Sequence, residues 1–252
     1  MTPALALGVA ALAASVFARG ACADGVVTPA PAAEPVPFSS LAVGHGLAPW
    51  APVSLGRGKR PTHYELAQDA GAVVLHAVAD NAASGLAHHV AIDTHRTPMM
   101  AWRWKIAGLI PGADPNVASR EDAPARIVLE FDGDRSRLSL ADRALSKLCN
   151  TLLGRPLPYA AIVYIWAGSA PVGTVIPNPY TGRVKMIVAS SGAGGVRTWQ
   201  SLTRDVADDF RHAFGEEPGR LTSVGVLTDS DNTESRAEAW YSDIAFAGRP
   251  SP

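Results

Sequence analysis

The segment Thr228–Phe246, TDSDNTESRAEAWYSDIAF, gathers several carboxylates immediately before a strand-like pattern. Asp229 and Asp231, with Asn232 and Glu234 nearby, offer the hard oxygen ligands that calcium prefers. The spacing lacks the glycine and the distant glutamate of an EF-hand loop. Two hypotheses therefore stand: a structural calcium held by Asp229 and Asp231, and a polar loop whose side chains cap their own backbone, which the residue types favour.

No segment carries a recognisable catalytic signature. The seven histidines are scattered, and no HExxH spacing appears. The loop SSGAGG, Ser190–Gly195, has neither a nucleophile-elbow pattern nor the lysine of a phosphate-binding loop. A catalytic carboxylate pair needs a suitable separation and one raised pKa, which a sequence does not reveal. We therefore assign no catalytic residue and no cofactor other than calcium.

Three segments alternate apolar and polar residues, as strands with one buried face do. They are AWRWKI (101–106), ARIVLEF (125–131) and AEAWYSDIAF (237–246). We expect Trp102, Trp104 and Trp240 to share the buried parity, whereas Trp50 and Trp199 suit a core or a sugar-stacking surface equally. The opposite parity then forms one polar surface, made of Arg103, Lys105, Arg126, Glu130, Tyr241 and Asp243.

This predicted polar surface has two interpretations. Guanidinium and carboxylate groups on a concave sheet face could bind sugar hydroxyls or an acidic polymer. The same residues could instead form a solvated face with cross-strand ion pairs and no ligand. This second interpretation is favoured, because the strand order cannot be read from the sequence and the six residues need not be neighbours.

Further strand patterns place these segments in a larger sheet structure. They are THYEL, AVVLHAVA, LAHHVAI, AAIVYIW, VKMIVAS and LTSVGVL. Two helices are expected, one from Ser139 to a cap at Gly154 and one from Ser201 to Gly215. Cys149 lies on a face of the first helix and is expected to be buried. Many strands and two helices predict an all-β fold, an antiparallel β-sandwich of jelly-roll type with two short helical insertions.

The N-terminal segment resembles an export signal. The apolar run ALALGVAALAASVFA precedes small residues at Ala21 and Ala23, which suits cleavage after residue 23. The domain prediction is a signal peptide over 1–23, a Pro/Ala-rich linker over 24–37 and one β-sandwich domain over 38–248. The protein would then be periplasmic or secreted, with no transmembrane span after cleavage.

The formal net charge of −1 gives no reason to expect nucleic acid as a partner. We expect a monomer.

Several stretches, taken in order, resemble the bacterial family named domain of unknown function 3047. They are AWRWKI, EDAPARIVLEF, YIW, RDVADDFRHAFG and VGVLTDSDNTESRAEAWYSDIAF. The resemblance runs from about Trp50 to Phe246 and implies an exported β-rich protein similar in outline to carbohydrate-binding jelly rolls. It implies no catalytic residue.

The expected function is an exported, non-catalytic module that binds a glycan or a cell-envelope polymer. The alternative is a polysaccharide lyase or hydrolase on the same fold. A lyase needs a Tyr or His with an Arg in one cleft, whereas a binding module needs exposed aromatic and hydrogen-bonding groups. A scaffold protein of an envelope complex would show an exposed apolar patch instead.

Overall fold

The structure, a computed structural model, describes residues 31–56, 58–153, 157–179 and 181–250. The predicted signal peptide and the first part of the predicted linker lie outside these residues. The described part of the linker lies against the domain: Ala32 bridges Val90, and the carbonyl oxygen of Val36 accepts a hydrogen bond of 2.9 Å from the Trp50 indole.

The described chain is built mainly from strands. In chain order they are β1 (Ala51–Ser54), β2 (His63–Asp69), β3 (Ala72–Asp80), β4 (Ala83–Ile92), β5 (Met99–Ile106), β6 (Arg126–Phe131), β7 (Ala160–Ala167), β8 (Val175–Pro177), β9 (Val184–Ser191), β10 (Gln200–Asp205), β11 (Leu221–Asp229), β12 (Arg236–Tyr241) and β13 (Ala245–Ala247).

The strands form two sheets. One has seven strands in the order β1-β4-β11-β6-β7-β9-β8, and the other has the order β10-β5-β12-β3-β2, with β13 paired to β5. All pairs are antiparallel except β7 with β9. The prediction of an all-β jelly-roll sandwich is confirmed, and the parallel pair is the one departure from its antiparallel pattern among the described strands.

The main core lies between the two sheets. It contains Trp102 and Trp104 from β5 and Ile127, Leu129 and Phe131 from β6, each with an exposed fraction of 3% or less. This is the apolar parity that the alternation predicts for both strands. A hydrogen bond also joins the two sheets within the core: the Trp104 indole donates to the Ser190 hydroxyl at 2.9 Å.

Among the described residues two α-helices accompany the sheets, α1 (Leu140–Leu153) and α2 (Val206–Phe214). The Ser139 hydroxyl caps α1 by accepting from the Asp142 amide at 3.0 Å, whereas the predicted cap at Gly154 lies outside the described residues. The predicted start of α2 at Ser201 is wrong. Residues 200–205 form β10, and the Asp205 side chain caps α2 by accepting from the Asp208 amide.

The outer face of the seven-stranded sheet carries a second apolar core. Val128, Val163 and Met186 lie there on neighbouring strands and pack with Cys149 of α1. Cys149 is 1% exposed, as predicted. This sheet is therefore buried on both faces over β6, β7 and β9.

In the part of the chain that the structure describes, neither helix has the length and apolar composition needed to cross a membrane.

Candidate functional site

The predicted single polar surface does not exist. Arg103 and Lys105 point outward from β5 of the six-stranded sheet, whereas Arg126 and Glu130 are buried on β6 of the seven-stranded sheet. The other two residues occupy different positions again: Tyr241 lies between the sheets, and Asp243 accepts hydrogen bonds from the amide and hydroxyl of Ser39.

The orientations of Trp240 and Tyr241 are the reverse of those predicted. Tyr241 is 0% exposed, and its hydroxyl lies 2.7 Å from both the Thr228 hydroxyl and the Leu227 carbonyl oxygen. Trp240 is half-buried on the outer face. The sequence alternation misleads because β12 ends at Tyr241 and β13 begins only at Ala245, so the parity of Phe246 does not extend back to Trp240.

Arg126 and Glu130 lie on the predicted side of their strand, but the prediction that they are exposed is wrong. Both side chains leave β6 opposite Ile127 and Leu129, as predicted. Their face of the sheet is nevertheless covered by the second apolar core, so Arg126 is 0% and Glu130 is 6% exposed. One strand's alternation cannot distinguish a solvated face from a covered one.

Arg126 lies at the centre of a buried ion-pair cluster. Its Nε and Nη2 donate to the two carboxylate oxygens of Asp229 at 2.8 and 2.9 Å. Its Nη1 donates to Glu121 Oε1 at 3.1 Å, and Nη2 also donates to the Glu121 carbonyl oxygen. The backbone amide of Ala123 donates to Asp229 at 3.2 Å. The guanidinium is fully occupied and has no exposed surface for a ligand.

Burial sets the direction of the pKa shifts of the two carboxyl groups around Arg126. It raises the pKa of Glu121 to about 7 and that of Asp229 to about 6, although Arg126 opposes both shifts. Burial alone would lower the pKa of Arg126, but the attraction of Asp229 and Glu121 outweighs it and raises that pKa.

Two more carboxylates extend the cluster toward the surface. Asp231 forms an ion pair with Lys59. Asp122 accepts from the amides of Asn232 and Thr233 at 3.1 and 2.7 Å. We call Glu121, Asp122, Arg126, Asp229, Asp231 and Lys59 together the Arg126 cluster.

The two residues predicted to bind calcium do come together. Carboxylate oxygens of Asp122, Asp229 and Asp231 all lie within 4.8 Å of one another, close enough for shared coordination of a hard cation. Asp231 Oδ1 is buried and has no hydrogen-bond partner in the described structure. Four acids face two cations here, so a divalent cation would improve the charge balance. Calcium binding stays a prediction.

The outer face of the six-stranded sheet carries a partly exposed group of two indoles, two cations and an imidazole. Lys105 Nζ lies 4.3 Å from the Trp240 ring centroid and 5.4 Å from that of Trp199. The Arg103 guanidinium carbon lies 5.3 Å from the Trp199 centroid. His76 stacks on Trp240 with a centroid separation of 4.9 Å and an interplanar angle of 11°. We call these five residues the indole–cation surface.

The register of the strands explains this arrangement. On the outer face Trp240 of β12 lies between Lys105 of β5 and His76 of β3, its directly paired neighbours. The ring separations match the spacing of about 4.8 Å between strands. Trp240 is therefore flanked on both faces by Lys105 and His76. Trp199, which is half-buried, has Arg103 and Lys105 beside its ring and no stacked aromatic partner among the described residues.

A shallow trough lies on the seven-stranded sheet. Small residues line it, Gly85 and Ala87 on β4 and Ser223 and Gly225 on β11, with Glu130 at one end. Gly85 has to be glycine, because a Cβ there would lie 2.8 Å from the Val226 carbonyl oxygen.

The trough lacks a glycosidase carboxylate pair. Among its described lining residues Glu130 is the one carboxylate. Glu130 pairs with Ser223, and Asp229 lies six residues farther along β11, about 20 Å away at about 3.3 Å per residue. Retaining and inverting glycosidases need separations of about 5–9.5 Å.

A family comparison identifies the protein at the level of its family. The family described as Protein of unknown function (DUF3047) matches residues 48–245. The chain belongs to the DUF3047 family. The predicted resemblance is thus confirmed. A search of curated proteins finds no match to this DUF3047 protein.

Solved structures that resemble this DUF3047 protein do so distantly. It is similar to the family 11 carbohydrate-binding module from Clostridium thermocellum, solved with a β-1,3-1,4-mixed-linked tetrasaccharide. The TM-score is 0.40 at 8% identity, covering 82% of this chain and 94% of that one. For the family 30 module of a cellulosomal cellulase of the same organism the values are 0.39, 10%, 88% and 96%. For the xyloglucanase domain of NopAA from Sinorhizobium fredii they are 0.42, 9%, 81% and 100%. Similarities this distant carry no argument about function.

Proposed function

We propose that this DUF3047 protein is an exported, monomeric, non-catalytic module that binds a glycan or cell-envelope polymer on its indole–cation surface. One observation carries the proposal. Trp199 and Trp240 leave the same sheet face as Arg103 and Lys105, outside the core that holds Trp102 and Trp104.

The chemistry of this surface suits a sugar. An indole face packs against the apolar face of a pyranose ring, while neighbouring polar groups fix its hydroxyls. Lys105 is held in place by its ion pair with Asp69 and by the Trp240 ring. A surface whose side chains are already positioned loses less conformational entropy when it binds a ligand.

The lyase alternative receives less support from the geometry. Tyr241 and Arg126 do meet, since the Arg126 backbone amide lies 3.3 Å from the Tyr241 hydroxyl. Both residues are 0% exposed, so a polymer cannot reach them. Burial also raises the pKa of Tyr241 well above its usual value, which makes the phenol a weaker acid and leaves its basic phenolate form scarce at neutral pH.

Export is part of the proposal and rests on the N-terminal sequence pattern. The full chain, expressed in a bacterium, is expected to yield a periplasmic or secreted protein that lacks residues 1–23. Intact-mass measurement of the protein from each fraction tests this. Retention of residues 1–23 in the purified protein would contradict it.

The binding test uses the exported protein and immobilised polysaccharides. We expect retention on at least one polysaccharide and loss of retention in Trp199→Ala, because that change removes the stacking ring. The matched control is Leu140→Ala, which removes an exposed apolar side chain, 83% accessible, from α1. Equal retention of parent and Trp199→Ala would overturn the proposed site, and absence of retention on every polysaccharide would overturn the proposed function.

A further inference from the structure

On the indole–cation surface, Arg103 differs from Lys105 and His76 in its partners. Lys105 pairs with Asp69, and His76 lies within 3.3 Å of Glu65 and 2.8 Å of Glu238. Within the described residues, no carboxylate lies within ion-pair distance of Arg103, and its side chain makes no hydrogen bond. Its contact is the Trp199 ring.

The residues beside Arg103 are hydroxyl-bearing and exposed. Ser201 of β10 pairs directly with Arg103, and Thr203 pairs with Ala101 two positions along the same face. Leu202, between them, packs against the core, so both hydroxyls leave the sheet on the side of the guanidinium. Both residues are exposed.

Resting on the proposed function, we infer that the ligand is an acidic glycan whose carboxylate binds Arg103. A guanidinium offers two parallel N–H donors that match a carboxylate. The sugar ring then stacks on Trp199, and its hydroxyls reach Ser201 and Thr203. The three elements of a uronic acid residue, carboxylate, ring face and hydroxyls, each meet a matching protein group.

The pairing of the charged groups singles out Arg103 as the group that can bind an acidic ligand. Asp69 pairs with Lys105, and Glu65 and Glu238 lie beside His76, so these three carboxylates are directed away from Arg103. A neutral sugar would leave Arg103 without a counter-ion, whereas a uronate supplies one.

The test compares matched acidic and neutral polymers. The probes are polygalacturonate and alginate, set against galactan and carboxyl-reduced polygalacturonate, each titrated with the exported protein at low and at high salt. We expect the acidic polymers to bind about tenfold or more tightly than their neutral counterparts, the range for one charge-assisted contact. Salt should weaken the acidic binding selectively.

Variants at Arg103 separate this inference from the proposed function. Arg103→Ala should abolish the preference for acidic polymers, because it should weaken acidic binding by a larger factor than neutral binding. Arg103→Lys should restore part of this preference, because lysine restores the positive charge but not the two parallel N–H donors. Arg220→Ala, an exposed arginine just before β11, is the control with the same charge change and should keep the preference.

The outcomes distinguish failure of this inference from failure of the proposed function. Equal binding of acidic and neutral polymers, or a preference that survives in Arg103→Ala, overturns the inference and leaves the glycan-binding function standing. Failure to bind any of the four polymers, while neutral glucans are retained, also overturns the inference alone. Failure to bind any polysaccharide overturns both.

Discussion

Two arginines on two sheets show how differently the same side chain is used. Arg126 is 0% exposed, and its guanidinium donates to Asp229 and Glu121. Arg103 is exposed, and its guanidinium contacts the Trp199 ring with no carboxylate partner in the described residues. Both leave their strands opposite an apolar parity, so the alternation alone makes them equivalent.

The difference lies in what covers each sheet. The outer face of the seven-stranded sheet is packed with the second apolar core and α1, so its charges have to be satisfied internally. Within the described ranges, the outer face of the six-stranded sheet carries no such layer. On the proposed function, the Arg126 cluster has a structural role and the indole–cation surface is the binding site.

Removing each arginine in turn should give the largest difference in stability between the two sites. Arg126→Ala is expected to lose about 3–5 kcal/mol of unfolding free energy, because Asp229 and Glu121 would be left buried without their cation. Arg103→Ala should change stability by about 0.5 kcal/mol or less, as exposed substitutions do. Urea unfolding of both variants measures this. Similar losses in the two would contradict the assignment of roles.

The tryptophans offer the second comparison. Trp104→Ala should lose about 3–5 kcal/mol because it removes a core aromatic, together with its hydrogen bond to Ser190. Trp240→Ala should lose about 1 kcal/mol or less, the scale of an exposed cation–π contact. Thermal melts of the two variants decide it. A loss of several kcal/mol in Trp240→Ala would show that Trp240 is packed as a core residue, as the sequence predicts.

The sequence predicted the sheets better than it predicted the surface. The alternation in β5 and β6 correctly placed Trp102, Trp104, Ile127 and Leu129 in the core, because that pattern depends only on the strand itself. The alternation failed at β12, because residues 242–244 are not part of a strand and the side-chain alternation of β13 therefore does not continue that of β12.

The candidate site depended on partners that are distant in sequence. Asp229 and Asp231 were identified from their spacing, but their partners Arg126, Asp122 and Lys59 come from elsewhere in the chain. For Trp199 the sequence leaves a core position and a sugar-stacking surface equally open, because its partner strand cannot be read from the sequence. The register of β10 against β5 places it beside Arg103 and Lys105.

The Arg126 cluster should also make stability depend on pH. Folding raises the pKa of Glu121 from its ordinary 4.5 to about 7, so the folded state binds this proton more tightly. The contribution of Glu121 to stability is therefore fully present below about pH 4.5 and is lost as the pH rises through 7. Glu121→Gln imitates the protonated acid and should gain about 1–3 kcal/mol relative to the parent at pH 8.

The same comparison at pH 4 supplies the control for Glu121→Gln, because Glu121 of the parent is then mostly protonated in both the folded and the unfolded state and the gain should nearly vanish. Glu65→Gln, at an exposed carboxylate outside the cluster, should show no such gain at pH 8. A constant difference between parent and Glu121→Gln across this pH range would show that Glu121 is not the titrating group.

Calcium should produce the smallest of these effects. We expect millimolar calcium to raise the melting temperature modestly and EDTA to reverse the change, because a ligand that binds only the folded state stabilises it. Asp231→Asn should lose the response. An unchanged melting temperature with calcium would show that Lys59 and Arg126 alone supply the positive charge of the Arg126 cluster.

The most direct test of the binding surface is an NMR titration that follows the indole N–H signals of the six tryptophans. The titrant is an oligomer of whichever polymer is retained. The account predicts large shifts at Trp199 and smaller ones at Trp240, while Trp50, Trp102, Trp104 and Trp166 stay unchanged. Shifts at the Gly85 and Gly225 amides, with Trp199 unmoved, would place the ligand in the trough of the seven-stranded sheet and contradict the account.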